Sequence, residues 1–270
     1  MNRALNASEM KIRNRARILK LIRQGGFARA EIARITGLTR AAVTVIIDEC
    51  LARGMIIEGD KNNSAIGRKA IGLTMNGAYG WIVGLNISRR AYTMGAVDFS
   101  GKGFGEKGRE LSPEESPNAV LEEICSEIRA LRNSMSGKLL GIGITMPGPL
   151  DRKQGILLHV PNMQAWEGFP IKDFFQKKFG CMVSLDNNSN AMAKAEDVYN
   201  TAVQGKNFME LMVDSGLGSS IILNIDNRSV CFDCEYGHIC VDVHGERCNC
   251  GNIGCAEMYA SAPAILLYAR

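Results

Sequence analysis

The chain has 270 residues, 46% of them hydrophobic, which is enough for two domains with real cores. No run is long and apolar enough to span a bilayer, and the charged start MNRALNASEMKIRNRAR lacks the apolar segment of a secretory signal; the expectation is a cytoplasmic protein with no membrane partner. Net charge is +4, but residues 1–70 hold 14 Lys and Arg against 6 Asp and Glu (+8) and the remainder 18 against 22 (−4), so a basic head on an acidic body points to a polyanionic partner.

Three helical patterns follow one another at the start. Residues 11–24 place Ile12, Ala16, Leu19 and Ile22 at three- and four-residue spacing until Gly25-Gly26 stops them. Residues 28–35 form a short second helix, and Gly37-Leu38 turns the chain. Thr39 is placed to N-cap a third helix that turns Val43, Ile46, Ile47, Cys50 and Leu51 inward, with Gly54 just beyond its end.

Helix, glycine turn, helix is the spacing that lays the last helix in a major groove. Its early outward positions, Thr39, Arg40, Ala41 and Thr44, are small or polar enough to reach base edges or phosphates. Residues 55–58 and 70–73 read as two strands around a polar loop. That hairpin is a wing, with Arg68 and Lys69 at its exit able to follow phosphates or enter the minor groove. Residues 1–76 are therefore expected to be a winged helix-turn-helix that binds double-stranded operator DNA. A helical module that docks on another protein is the competing reading.

After Asn76-Gly77 the period changes. Strands are expected at 81–87, 91–97, 139–145, 182–185, 208–213 and 220–225, and helices at 115–135, 171–179 and 190–199. Strands alternating with helices give an α/β fold with a mixed sheet over residues 77–270.

Nine cysteines are an odd number, and six fall between Cys231 and Cys255, a clustering that in a reducing compartment reads as metal binding. Cys248, Cys250 and Cys255 are separated by Gly251 and Gly254, and His238 lies ten residues before Cys248. One imidazole and three thiolates fill a tetrahedral site with no open position, the signature of structural zinc. Cys231 and Cys234 compete with His238 for the remaining places, and spacing leaves the two sets level.

The winged head, PGPLD at 147–151, PNMQAWEG at 161–168, DNNSNAMAKAE at 186–196, DSGLGSS at 214–220, EYGH at 235–238 and CNCGNIGCAE at 248–257 together resemble the ROK family of bacterial repressors and sugar kinases, over residues 10–270. Within it the chain is most similar to the branch that represses xylose and N-acetylglucosamine operons. The resemblance implies an actin/hexokinase-like (ribonuclease H-like) ATPase-type α/β domain, and a homodimer that responds to a small sugar or sugar phosphate. It also implies that structural Zn²⁺ is held by His238, Cys248, Cys250 and Cys255, and that sugar hydroxyls are met by Asn162, Asn187, Asn188, Glu235, His238 and Glu257. Amides and carboxylates suit that task, because they donate to and accept from neighbouring hydroxyls.

The same resemblance argues against an enzyme. Family kinases use the Asp of an Asn-Asp pair as general base; the pair here is Asn187-Asn188, and a carboxamide cannot accept that proton at neutral pH. Asn188 is expected either to bind sugar or to cap the following helix. The first phosphate loop, roughly Asp-x-Gly-Gly-Thr in the kinases, reads Asn86-Ile87-Ser88-Arg89-Arg90, with two bulky side chains where backbone must approach phosphate. The second, Asp214-Ser215-Gly216-Leu217-Gly218, keeps two glycines and serves equally as a strand-to-strand turn. The sequence stops inside an expected helix over 261–269, where relatives continue, so the C-terminal lobe is expected to be incomplete.

Overall fold

The computed structural model describes residues 6–25, 27–59, 72–112, 114–158, 160, 163–225 and 228–269. They fall into two compact units: Met1–Gly84 with Gly95–Glu106 and Ser126–Gly141, and Leu85–Met94 with Lys107–Cys125 and Ile142–Arg270.

The first unit opens with three helices, α1 (Ala7–Gln24), α2 (Arg29–Thr36) and α3 (Arg40–Ala52), and a two-stranded hairpin, β1 (Ile56–Glu58) and β2 (Leu73–Met75). Helix α1 starts four residues before its apolar period does, because a capping box decides its start. Asn6 Oδ1 accepts from Glu9 N at 2.8 Å, and the Glu9 carboxylate accepts from Asn6 N at 3.1 Å. Helix α3 begins where expected, with Thr39 Oγ1 accepting from Ala42 N at 3.2 Å. Ile18 and Ile22 of α1, Ile32 of α2, Val43, Ile46, Ile47 and Cys50 of α3, and Ile56 and Leu73 of the hairpin form one core, none more than 5% exposed. Each large aliphatic among them contributes about 1.5–3 kcal/mol by burial.

The hairpin pairs antiparallel, Ile56 with Met75 and Glu58 with Leu73. Its second strand runs over Leu73–Met75, later than the expected 70–73, of which residues 70 and 71 lie outside the described residues. Leu73, 1% exposed, is the residue that must reach the core, and Asn76 N closes the pair by donating to Met55 O at 3.0 Å.

Five strands form a sheet in the order β5-β4-β3-β6-β9: β3 (Gly80–Ile87), β4 (Ala91–Asp98), β5 (Gly103–Glu110), β6 (Lys138–Met146) and β9 (Met182–Asn187). Strand β5 carries no sequence signal, being polar, largely exposed and interrupted by three glycines. Helix α4 (Pro117–Arg132) precedes β6; the hairpin β7 (Leu150–Asp151) and β8 (Ile156–Leu157) and helix α5 (Ile171–Phe179) precede β9.

In the second unit, helix α6 (Asn188–Tyr199) packs on an antiparallel sheet of β10 (Phe208–Val213), β11 (Leu217–Ile225) and β12 (Arg228–Cys234). Asn190 and Ala193 of α6 and Ser220 and Ile222 of β11 are at most 3% exposed. The helix expected over 261–269 is α8 (Ala262–Tyr268), with Ser261 at its N-cap position, and a separate short helix, α7 (Glu257–Ala260), precedes it. No helix among the described residues is long and apolar enough to cross a membrane.

Candidate functional site

Between residues 238 and 256 the backbone folds on itself through single antiparallel bridges, Cys240 with Cys255 and Arg247 with Ile253. Val241 N donates to Gly254 O at 2.8 Å, Ala256 N to Ile239 O at 2.9 Å and Cys248 N to Asn252 O at 2.8 Å. Gly251 and Gly254 sit at φ +94° and +61°, and a Cβ on Gly254 would strike the Asp242 carbonyl, so neither close turn admits a side chain.

This folding gathers the ligand atoms of His238, Cys248, Cys250 and Cys255 within 4.8 Å of one another. Cys248 Sγ lies 3.7 Å from His238 Nδ1, and Cys250 Sγ 3.6 Å from Cys255 Sγ. In a tetrahedron with Zn–S of about 2.3 Å and Zn–N of about 2.0–2.1 Å, the sulfurs stand about 3.8 Å apart and sulfur from nitrogen about 3.5 Å. The quartet thus has the dimensions of a closed zinc site. Burial, then the Cys250 and Cys248 sulfurs beside it, pushes the Cys255 thiol up to about 12, while the Asn252 N–H draws Cys250 down. Three crowded sulfurs would resist joint ionisation; a dication among them replaces the protons.

Cys231 and Cys234 do not join the quartet. They lie three apart on β12, so they point to opposite faces of an extended strand, and Cys231 Sγ is 3.5 Å from Asn190 Oδ1.

Of the residues expected at a sugar, Asn187 and Asn188 stand at the start of α6. Asn187, not Asn188, is the cap: its Oδ1 accepts from Ser189 N at 2.8 Å. Asn188, the first helical residue, has a buried Oδ1 with no hydrogen-bond partner among the described residues. Glu257 is partly committed, its Oε2 accepting from Leu217 N at 2.8 Å and so holding the β10–β11 turn. Glu235 is exposed, and its carbonyl accepts from His238 N at 3.0 Å. Asn162 lies outside the described residues.

Close approaches tie these pieces together. A Cβ on Gly148 would meet Asn187 Nδ2 at 2.6 Å, one on Gly218 would strike Ser189, and one on Gly237 would strike the Leu217 carbonyl. Tyr236 N donates to Ser219 Oγ at 2.9 Å. The Pro147-Gly148 turn, the first turn of α6, the 214–218 turn, the EYGH turn and Glu257 are one contiguous neighbourhood.

Beneath it runs a network with no signal in the sequence. Arg152 Nε donates to Asp186 Oδ1 at 2.7 Å, and its two terminal nitrogens fork onto Asp233 at 2.7 and 2.8 Å. Lys194 also pairs with Asp186, Asn190 donates to Asp233, and Ser220 Oγ donates to Asn190 Oδ1 at 2.5 Å. Burial works to raise Asp186, but Lys194 and Arg152 outweigh it and hold the carboxyl below its ordinary range; Arg152 does the same for Asp233. These partners stand up to 81 residues apart in sequence, beyond any local pattern.

Both loops compared with phosphate loops are short turns. Ser88 N donates to Ala91 O at 2.8 Å and the Ser88 hydroxyl caps the same turn, with Arg89 and Arg90 at its tip. Residues 214–216 join Val213 to its partner Leu217 across a hairpin.

On α3, Arg40 and Ala41 are exposed and Thr44 is half-buried, while the Thr39 hydroxyl, though exposed, is spent on the cap. Val45, 55% exposed and one turn after Ala41, shares that outward face and was absent from the sequence reading. Lys11 and Arg29 are turned onto Glu49 and Asp48 of α3, so part of the head's positive charge is neutralised internally. Arg68 and Lys69 lie outside the described residues.

The sequence pattern of the ROK family matches residues 83–270. The xylose repressor of Bacillus subtilis is 30% identical over 261 residues, covering 95% of this chain and 67% of the relative. The DNA-binding transcriptional repressor Mlc of Escherichia coli is 27% identical over 279 residues, covering 100% and 68%. A solved ROK family transcriptional regulator, described as a homolog of E. coli MLC protein, aligns with TM-score 0.77 at 28% identity over 96% of this chain and 67% of its own. A ROK glucokinase from Streptomyces griseus, solved with glucose and AMPPNP, aligns with TM-score 0.58 at 28% identity over 70% of this chain and 60% of its own. The chain spans about two-thirds of the length of the curated relatives it matches.

Proposed function

The chain belongs to the ROK family, and on that premise we propose that it is a cytoplasmic, DNA-binding transcriptional repressor of a carbohydrate operon, released or recruited by a small sugar or sugar phosphate. Residues 1–76 act as a winged helix-turn-helix. Thr39, Arg40, Ala41 and Thr44 at the start of α3 approach the major groove, with Arg68 and Lys69 on the wing against phosphate or the minor groove. A homodimer sets two such helices on successive turns of a near-palindromic operator.

The observation that carries this reading is the exposed start of a capped, firmly packed α3 in a basic head, in a chain whose relatives are named as repressors over nearly its whole length. The sugar site uses Asn162, Asn187, Asn188, Glu235, His238 and the uncommitted oxygen of Glu257, and the orphan Asn188 carboxamide oxygen accepts from a ligand hydroxyl. His238, Cys248, Cys250 and Cys255 hold Zn²⁺. The ion supplies no reaction chemistry; it fixes the loops that carry Glu235 and Glu257.

The chain transfers no phosphoryl group. Asn188 stands where a base is needed, and its neighbour Asp186 is locked into ion pairs with Arg152 and Lys194.

Gel-shift titration with genomic fragments at several salt concentrations tests the DNA claim, and a sugar panel led by D-xylose and N-acetyl-D-glucosamine tests the effector. A retarded band that weakens with salt and shifts with one sugar is expected; no band at any salt concentration removes the repressor reading. A coupled ATP assay with the same panel is expected to match its no-enzyme blank, and reproducible turnover would overturn the role given to Asn188.

A further inference from the structure

Beside the three cysteines and one histidine of the quartet stands a fourth cysteine. Cys240 is exposed and faces Cys255, which is fully buried, across an antiparallel bridge. The flanking hydrogen bonds fix the kind of pair. Ala256 N donates to Ile239 O at 2.9 Å and Val241 N to Gly254 O at 2.8 Å, one residue to either side of the pair. Cys240 and Cys255 therefore exchange no backbone bonds with each other and form the close, non-hydrogen-bonded type of antiparallel pair. In such pairs the Cα atoms lie about 4.5 Å apart and both side chains share one face. A disulfide spans Cα atoms about 4.4–6.8 Å apart, so this register admits one without backbone movement.

None of the other cysteines offers this to a ligand from outside the quartet. Cys231 and Cys234 lie on opposite faces of β12, Cys50 is in the head core, Cys125 is fully buried on α4, and Cys181 stands just before β9 with no bridge to the quartet's loop among the described residues. Cys240 is also outside the quartet itself, whose members are His238, Cys248, Cys250 and Cys255.

We infer that Cys240 and Cys255 form a peroxide-oxidisable pair, and that closing their disulfide withdraws Cys255 from the metal site. The inference rests on the zinc reading above. The oxidant is a hydroperoxide. The Cys240 thiol gives its proton to solvent, and its thiolate attacks one peroxide oxygen. The O–O bond breaks, hydroxide leaves and takes up a proton, and Cys240 becomes a sulfenic acid. The Cys255 thiolate then attacks the Cys240 sulfur; the S–O bond breaks and a second hydroxide leaves to become water. The Cys240 thiol and the Cys255 thiolate lose one electron each, one hydrogen peroxide gains two, and with one further proton from solvent the products are one disulfide and two waters. His238, Cys248 and Cys250 remain as three ligands of an opened site. The loop carrying Glu235 and Glu257 loses its tether, so effector binding falls with the metal.

The test uses the full chain, purified reduced, with its zinc content measured first. It is titrated with hydrogen peroxide in the presence of a chromogenic zinc chelator and mapped by mass spectrometry without reduction. The wild type is expected to lose 2 Da, to yield a cross-linked peptide pair containing Cys240 and Cys255, and to release zinc in step with that cross-link. Cys240→Ser, conservative at an exposed site, is expected to bind zinc equally and to release it at least tenfold more slowly at the same peroxide dose. Equal release from both proteins, or a disulfide mapped to Cys250–Cys255 or Cys248–Cys250, overturns the inference. Reduced protein that holds no zinc yet forms the Cys240–Cys255 cross-link sinks the zinc reading alone and leaves the pair standing.

Discussion

The head and the 235–257 loop differ in what they bury. In the head, nine apolar side chains from three helices and a hairpin are at most 5% exposed. In the loop, Cys248, Cys255, Ala256 and two glycines are buried, while Ile239, Val241, Val243 and Ile253 are between 42% and 71% exposed. The head is held by area removed from water, as any small helical unit is. The loop turns its aliphatics outward and buries the Cys248 and Cys255 sulfurs, so area removed from water holds it poorly; in the proposed reading, ligand bonds hold it. The difference teaches that each region has its own point of failure.

The largest expected effect is on the loop. Structural zinc in small modules binds with about 10–16 kcal/mol of apparent free energy, far more than this loop's apolar contacts can replace. Strong chelation, or Cys248→Ser, is expected to abolish hydrogen-exchange protection across residues 238–256 and to leave amides of α1–α3 protected. Equal loss in both regions would erase the contrast.

The converse change strikes the head. Ile47→Ala removes a fully buried side chain and is expected to cost about 2–5 kcal/mol, read as a drop in the denaturation midpoint and lost DNA retardation. Zinc content should stay at the wild-type value; a fall would show that the two regions are not independent.

Smaller effects sharpen the picture around α6. Arg152, 39% exposed, is expected to contribute about 1 kcal/mol after solvent screening, seen on Arg152→Ala. Because Asp186 and Asp233 are both held below their ordinary range, the network's stability is fully present above the unfolded aspartate value, about pH 4, and is lost as pH falls through the lower folded values. Urea midpoints of the wild type should therefore fall more between pH 5 and pH 3 than those of Arg152→Ala. Superimposable profiles would refute the assignment.

The smallest effect is local. Thr39→Ala should cost about 1 kcal/mol through the lost cap of α3, and Thr39→Ser almost nothing, in thermal denaturation of the full chain.

Much of this was legible in the chain itself. Apolar periods over residues 11–51 gave the three helices and the inward face of α3. On α1, however, the expected Ile12 and Ala16 are exposed and Ile18 is buried beside Ile22, and on α2 Ile35 is exposed, because which side of a helix turns inward depends on what packs against it. The glycines at 251 and 254 and the cysteines around them announced a tight ligand loop. Where spacing left His238 and the Cys231/Cys234 pair level and the family resemblance chose His238, the geometry gathers His238 too, since tertiary folding puts Cys231 and Cys234 on a strand where they diverge. The cap of α6 at Asn187, the commitment of Glu257 to Leu217, and the Arg152 network were equally out of reach, as was the Cys240–Cys255 register. Each joins groups whose partners are chosen by backbone position across a sheet, a turn or a distant strand. Sequence by itself determined which residues could do chemistry and where the helices of the head form; the tertiary structure decided which faces turn inward and which residues meet, because contact depends on where the chain returns rather than on what it is made of.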